Sequence, residues 1–91
     1  MLDLRCNNLG DHHFIELLKI LEKNTFLSEL NIGGNNITAI GAKNIASMLK
    51  INRTLSKLYL YRNTLQDEGT YILAKAIELN SSISYLDLEF N

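Results

Sequence analysis

Few residues in this sequence are equipped for chemistry, and their spacing excludes most of what they could do. Asp11, His12 and His13 are consecutive, a grouping of possible metal donors. Adjacent histidines do not share a helix face, and no further histidine is present to complete a tetrahedral set. The triplet therefore reads as a helix cap and turn. Cys6 has only Arg5 beside it to lower its pKa and reads as an ordinary surface thiol. Asn36-Ile37-Thr38, Asn52-Arg53-Thr54 and Asn80-Ser81-Ser82 match the glycosylation sequon. No phosphate-cradling glycine loop occurs, and no Ser/His/Asp or paired-carboxylate arrangement has a supporting motif. No catalytic residue, cofactor or metal is expected. What remains is binding chemistry: Tyr59, Tyr61, Arg62 and Phe90, with Asp87 and Glu89 close by. Tyrosine and arginine are enriched at binding hot spots because they bury area and keep a polar handle. The two carboxylates would suit a basic partner.

A repeat must position these residues. Ungapped units run over 2–29, 30–57 and 58–85, with a partial unit over 86–91. Stacking them aligns Leu2, Leu30, Leu58 and Leu86 in one column and Leu4, Ile32, Leu60 and Leu88 in the next. Asn7, Asn35, Asn63 and Asn91 form a polar column, and Asn24, Asn52 and Asn80 form another. The second column accounts for two of the three sequons without any sugar.

Each unit opens L-x-L, the alternation of a strand buried on one face. It continues with Leu17, Leu18 and Leu21, or Ile45, Ala46 and Leu49, a helical stripe. Asp11 and Asp67 are expected just before the helices, as N-caps. Identical units force parallel strands with every helix on one side. Strands sit about 4.8 Å apart and helices roughly 8–10 Å apart, so the stack must curve with its strands inside. The asparagines after each strand are expected to bond the turn backbone of their own and the next unit.

The L-x-L-x-x-N-x-L pattern followed by a helix resembles the leucine-rich repeat family across the whole chain. The 28-residue period, with L-A-x-x-L in its second half (Leu73-Ala74 to Ile77), resembles the ribonuclease-inhibitor-like subclass. That subclass also includes Ran GTPase-activating protein and the sensing region of NOD-like receptors. The first unit departs from the others with His13 in the place of Gly41 and Gly69, and Phe26 in the place of Thr54 and Ser82. The resemblance implies an α/β solenoid, a horseshoe segment with a concave sheet, that binds a protein partner and is not an enzyme. It also allows two alternatives: a regulator such as a GTPase activator, or the sensing part of a larger receptor or bacterial effector. No catalytic residue carries over.

In the L-x-L strand the x residues face the concave bay. Asp3, Asn31, Tyr59 and Asp87 make the first exposed column, and Arg5, Gly33, Tyr61 and Glu89 the second. Cys6, Gly34, Arg62 and Phe90 lie just beyond. The partner-binding set is therefore expected to be Tyr59, Tyr61, Arg62, Asp87, Glu89 and Phe90.

Composition narrows the setting. The chain has 91 residues, room for one small domain, and 46% of them are apolar, enough for a core. A net charge of −1, with no lysine or arginine block, argues against nucleic acid or a membrane surface as partner. The stretch from Phe14 to Leu21, interrupted by Glu16 and Lys19, falls short of a membrane span. One cysteine allows no internal disulfide, and MLDLRCNNLG does not read as a signal peptide. A cytoplasmic setting and a place within a longer repeat array are the expectations.

Overall fold

The computed structural model describes residues 1–91. Its elements alternate without exception: β1 (Leu2–Asp3), α1 (Gly10–Lys23), β2 (Glu29–Asn31), α2 (Ala39–Ile51), β3 (Lys57–Tyr59), α3 (Gln66–Leu79) and β4 (Tyr85–Asp87). The strands form one parallel sheet in the order β1-β2-β3-β4. Leu2 pairs with Leu30, Leu30 with Leu58, and Leu58 with Leu86. The period of the sequence is thus the register of the sheet.

Backbone pairing outlasts the strands. Leu4 N–H donates to the Asn31 carbonyl at 2.8 Å and Cys6 N–H to the Gly33 carbonyl at 2.9 Å. The corresponding bonds recur from Ile32 and Gly34, and again from Leu60 and Arg62. Just past each strand, the rung therefore offers these N–H groups to the carbonyls of the rung that follows.

The asparagine column continues that polarity where the strand ends. Asn35 Oδ1 accepts from Asn7 N–H at 3.0 Å and Leu9 N–H at 3.2 Å, standing in for the next carbonyl of the ladder. Its Nδ2 donates to the Leu4 and Gly33 carbonyls. Asn63 does the same for Asn35, Ile37, Ile32 and Leu60. The rung served is the preceding one, not the following one that the sequence reading expected. The reason is that the orphan donors point forward along the stack.

The second column closes the other end of each rung. Asn52 Nδ2 donates to the Leu21 carbonyl at 2.7 Å, at the C-terminus of α1, and Asn80 Nδ2 to the Leu49 carbonyl at 2.8 Å. Their Oδ1 atoms accept from the return turns at Leu55 and Ile83. Every buried side-chain polar atom has a partner, as close packing of polar groups requires. Asn52 and Asn80 are buried with committed amides, so these two sequons do structural work.

The helical core is broader than the expected stripe. Phe14 in α1, Ala42 and Met48 in α2, and Ala76 in α3 join it, whereas Ala74 is exposed. Burial also follows position in the stack. Leu30, Ile32, Leu58 and Leu60 are fully buried, while Leu2, Leu4, Leu86 and Leu88 on the outer rungs are half-buried. A solenoid rung gets its burial from its neighbours.

Asp11 and Asp67 are not N-caps. α1 and α3 begin one residue earlier, at Gly10 and Gln66, and neither helix has a side-chain cap. Those two residues have φ of 65° and 55°, and their N–H groups donate to the carbonyls of Asn35 and Asn91 on the next rung. The turn backbone thus caps by pairing along the stack, which leaves the aspartates inside the first turn. Asp11 instead serves Thr38, the true N-cap of α2. His13 is exposed and accommodated within α1, its Nδ1 in contact with the Leu9 carbonyl at 3.1 Å. His12 and His13 meet edge to face in solvent, with ring centroids 5.7 Å apart.

Candidate protein-binding face

The exposed side of the sheet is built from columns of alternate residues. Lys57 and Tyr59 on β3 stand opposite Tyr85 and Asp87 on β4. The rings of Tyr59 and Tyr85 meet with centroids 5.2 Å apart at an interplanar angle of 46°. Asp87 and Glu89 follow on the same rung, and neither carboxylate is in an ion pair. One oxygen of Asp87 has a local role, accepting from the Glu89 N–H at 3.0 Å. Asp3 and Asn31 make the same bond on their own rungs.

Charges on the earlier rungs are mutually satisfied. Arg5 pairs with Asp3 at 3.1 Å and Lys57 with Glu29 at 3.3 Å. Unpaired acidity is therefore confined to the β4 side of the face, beside the aromatic pair.

Tyr61 lies down rather than standing out. Its ring covers Gly33 so closely that a Cβ there would meet three ring carbons. Asn31 Nδ2 reaches the Tyr61 hydroxyl at 3.4 Å. The Tyr61 side chain, and then the Asp3 carboxylate, hold the Arg5 guanidinium above its usual pKa. Tyr61 is thus a half-buried brace across three rungs.

Arg62 and Phe90 meet at the rim, with the guanidinium carbon 5.6 Å from the ring centroid. Phe90 is 73% exposed. Both residues, like Cys6 and Gly34 in the same column, have positive φ, 52° for Arg62 and 57° for Phe90. That conformation favours glycine, and a bulky residue there is strained. The turn geometry imposes it on the whole column, and only Gly34 escapes the cost.

Comparison with known proteins agrees with this architecture. Residues 23–46 match the family described as Leucine Rich repeat. The ribonuclease inhibitor of Sus scrofa is 36% identical over 78 residues, 85% of this chain and 17% of that protein. The chain belongs to the leucine-rich repeat family, in its ribonuclease-inhibitor-like branch. RAN GTPase-activating protein 2 of Arabidopsis thaliana is 35% identical over 86 residues, 92% of this leucine-rich repeat segment and 16% of the plant protein. The solved structure of Leiomodin-1 Actin-Binding Site 2 has the same fold, with a TM-score of 0.93 at 21% identity over 99% of this chain and 53% of that one. The segment spans between 5% and 28% of the length of the curated relatives it matches.

All six residues expected at the leucine-rich repeat face lie on the exposed side of the sheet or its rim, but they are not equivalent. Tyr59, Asp87 and Glu89 front the face, Arg62 and Phe90 form its edge, and Tyr61 is held down by Gly33 and Asn31. Sequence reasoning missed Tyr85, 47% exposed, together with Lys57 and Glu29. Cutting each unit at its first leucine hid the residue before it. Strand alternation carried one step backward would have found that column.

Proposed function

We propose that this leucine-rich repeat segment is a non-catalytic protein-binding module whose partner seats on the concave strand face. The observation that carries the reading is the Tyr59–Tyr85 pair beside the unpaired Asp87 and Glu89. Two rings already in contact lose little freedom when covered, and free carboxylates beside them favour a partner presenting lysine or arginine. Arg62 and Phe90 extend the contact at the rim. The family membership and the likeness to a ribonuclease inhibitor support binding without catalysis. The small share of each relative that the chain spans supports its working within a longer repeat array.

Affinity capture tests the reading when wild type is compared with Tyr59→Ala/Tyr85→Ala and with a convex-face variant, Ile51→Ser. The expected partner is retained by wild type and Ile51→Ser and lost from the double variant, with unchanged far-ultraviolet circular dichroism. A partner retained equally by all three would remove the concave face from the interaction.

A second reading, in which the segment regulates a GTPase, is favoured by the identity to RAN GTPase-activating protein 2. Stimulation of GTP hydrolysis by a Ran-type GTPase on adding the chain would support it over simple binding.

A further inference from the structure

The repeat supplies its own control for the convex side of the molecule. Between α2 and α3 lies an open trough of about 340 Å³, lined by Ala46, Lys50, Tyr71, Ile72, Lys75, Ala76 and Leu79. One rung earlier, the same positions between α1 and α2 are Leu18, Glu22, Lys43, Asn44, Ser47, Met48 and Ile51. There, Leu18 and Met48 fill the seam and are buried. Ala46 and Ala76 in their places leave it empty. The fold does not require this trough, since the neighbouring interface is built without one.

Four further exchanges accompany the loss of volume. Lys43 and Asn44 give way to Tyr71 and Ile72, so the wall turns apolar. Glu22 becomes Lys50 and Ser47 becomes Lys75, so the rim turns basic. Lys50 makes no ion pair, while Lys75 sits 5.7 Å from the Tyr71 ring centroid and 3.7 Å from Glu78. Tyr71 and Leu79 are 61% and 76% exposed on a helical face that faces solvent. Exposed apolar area rimmed by charge marks an interaction site.

We propose that the α2–α3 trough is a second docking site, for an acidic amphipathic helical segment of a partner protein. Apolar side chains of that segment fill the space over Ala46 and Ala76, against Tyr71, Ile72 and Leu79. Its flanking carboxylates meet Lys50 and Lys75. This is the helix-in-groove mode of recognition, with the sign of charge set by the two lysines. The site is on the opposite side of the molecule from the strand face and is independent of it.

The probe is a fluorescent helical peptide with leucines along one face and glutamates beside them, paired with a counterpart whose glutamates are replaced by lysine. The acidic peptide should bind, shift the amide resonances of α2 and α3, and weaken with added salt. Ala46→Leu/Ala76→Met restores the filling of the α1–α2 seam, and should weaken binding by about tenfold or more with unchanged circular dichroism. Lys50→Glu/Lys75→Glu leaves the trough open, and should invert the preference between the two peptides. Equal binding of both peptides, or binding unaffected by filling the trough, would overturn the proposal. So would sedimentation showing the trough occupied by a second copy of the chain, or trough-dependent binding to anionic lipid vesicles without binding to the peptide.

Discussion

The carboxylate of Asp11 caps a helix that is not its own. Its Oδ1 accepts the Thr38 N–H at 2.9 Å, its Oδ2 accepts the Thr38 hydroxyl, and Thr38 Oγ1 in turn accepts the Ile40 N–H at 3.2 Å. A relay of hydrogen bonds thus ties the first turn of α1 to the start of α2. Gly41 makes room for it, because a Cβ there would clash with Asp11 Oδ1 and Ile37 Cγ2. In the first rung His13 holds the corresponding place.

Asp11→Ala should therefore destabilise the protein by about 1–2 kcal/mol, the scale of a lost cap. Gly41→Ala should cost about 1–3 kcal/mol as an overpacked site. Part of that cost should vanish in the Asp11→Ala background, where the clashing oxygen is gone. Urea denaturation of the two single variants and the double variant measures the coupling. Strict additivity would show that Gly41 answers to Ile37 alone.

Asn63 and Asn7 share a column but not a role. The Asn63 side chain is buried and bonded to two rungs, whereas the Asn7 side chain is exposed and donates only within its own, to the Leu4 and Arg5 carbonyls. Asn63→Ala strands buried backbone donors and acceptors, and should cost about 2–4 kcal/mol. Asn7→Ala should cost less than about 1 kcal/mol, because water reaches its partners. Thermal melts of the two variants should differ clearly. Similar losses would mean that the column acts through each turn alone and not through the stack.

Much of this architecture was legible in the sequence because a repeat turns register into arithmetic. Once Leu2, Leu30, Leu58 and Leu86 fall in one column, the only sheet that aligns them is parallel and in phase. What escaped were relations set by direction across the stack. Spacing shows that Asn35 recurs with Asn63, but not that Asn35 serves Leu4 and Leu9 behind it. The Asp11 cap escaped because its target is 27 residues away. Alternation along the strands was enough to place Tyr59, Tyr61, Asp87 and Glu89 on the exposed side of the sheet. Tyr85 was lost to the choice of where a unit begins, and the resting pose of Tyr61 to the absence of a side chain at Gly33.

That pose is open to test. A methyl group at Gly33 would displace the Tyr61 ring, which is the far end of a flexible side chain and can swing toward solvent. Gly33→Ala should cost less than about 1 kcal/mol of stability while detaching Tyr61 from Asn31 and Arg5. Nuclear magnetic resonance should show the Tyr61 ring signals moving toward exposed values with the β2–β3 amides little changed. Ring signals that stay in place would mean that the strand yields instead of the side chain.

Arg62 combines a strained backbone with an exposed rim contact. It holds φ at 52°, a conformation costing a non-glycine residue roughly 1 kcal/mol, and Gly34 in the same column shows that glycine fits. Its guanidinium stacks on an exposed Phe90, which is strained in the same way. Arg62→Gly should leave stability unchanged or raise it by up to about 1 kcal/mol, since relief of strain offsets the loss of a surface contact. If the rim contacts the partner, the same substitution should weaken capture on the concave face by about tenfold. Denaturation and binding measured on one preparation separate the two effects. A variant that is more stable and binds as well as wild type would take Arg62 out of the interface.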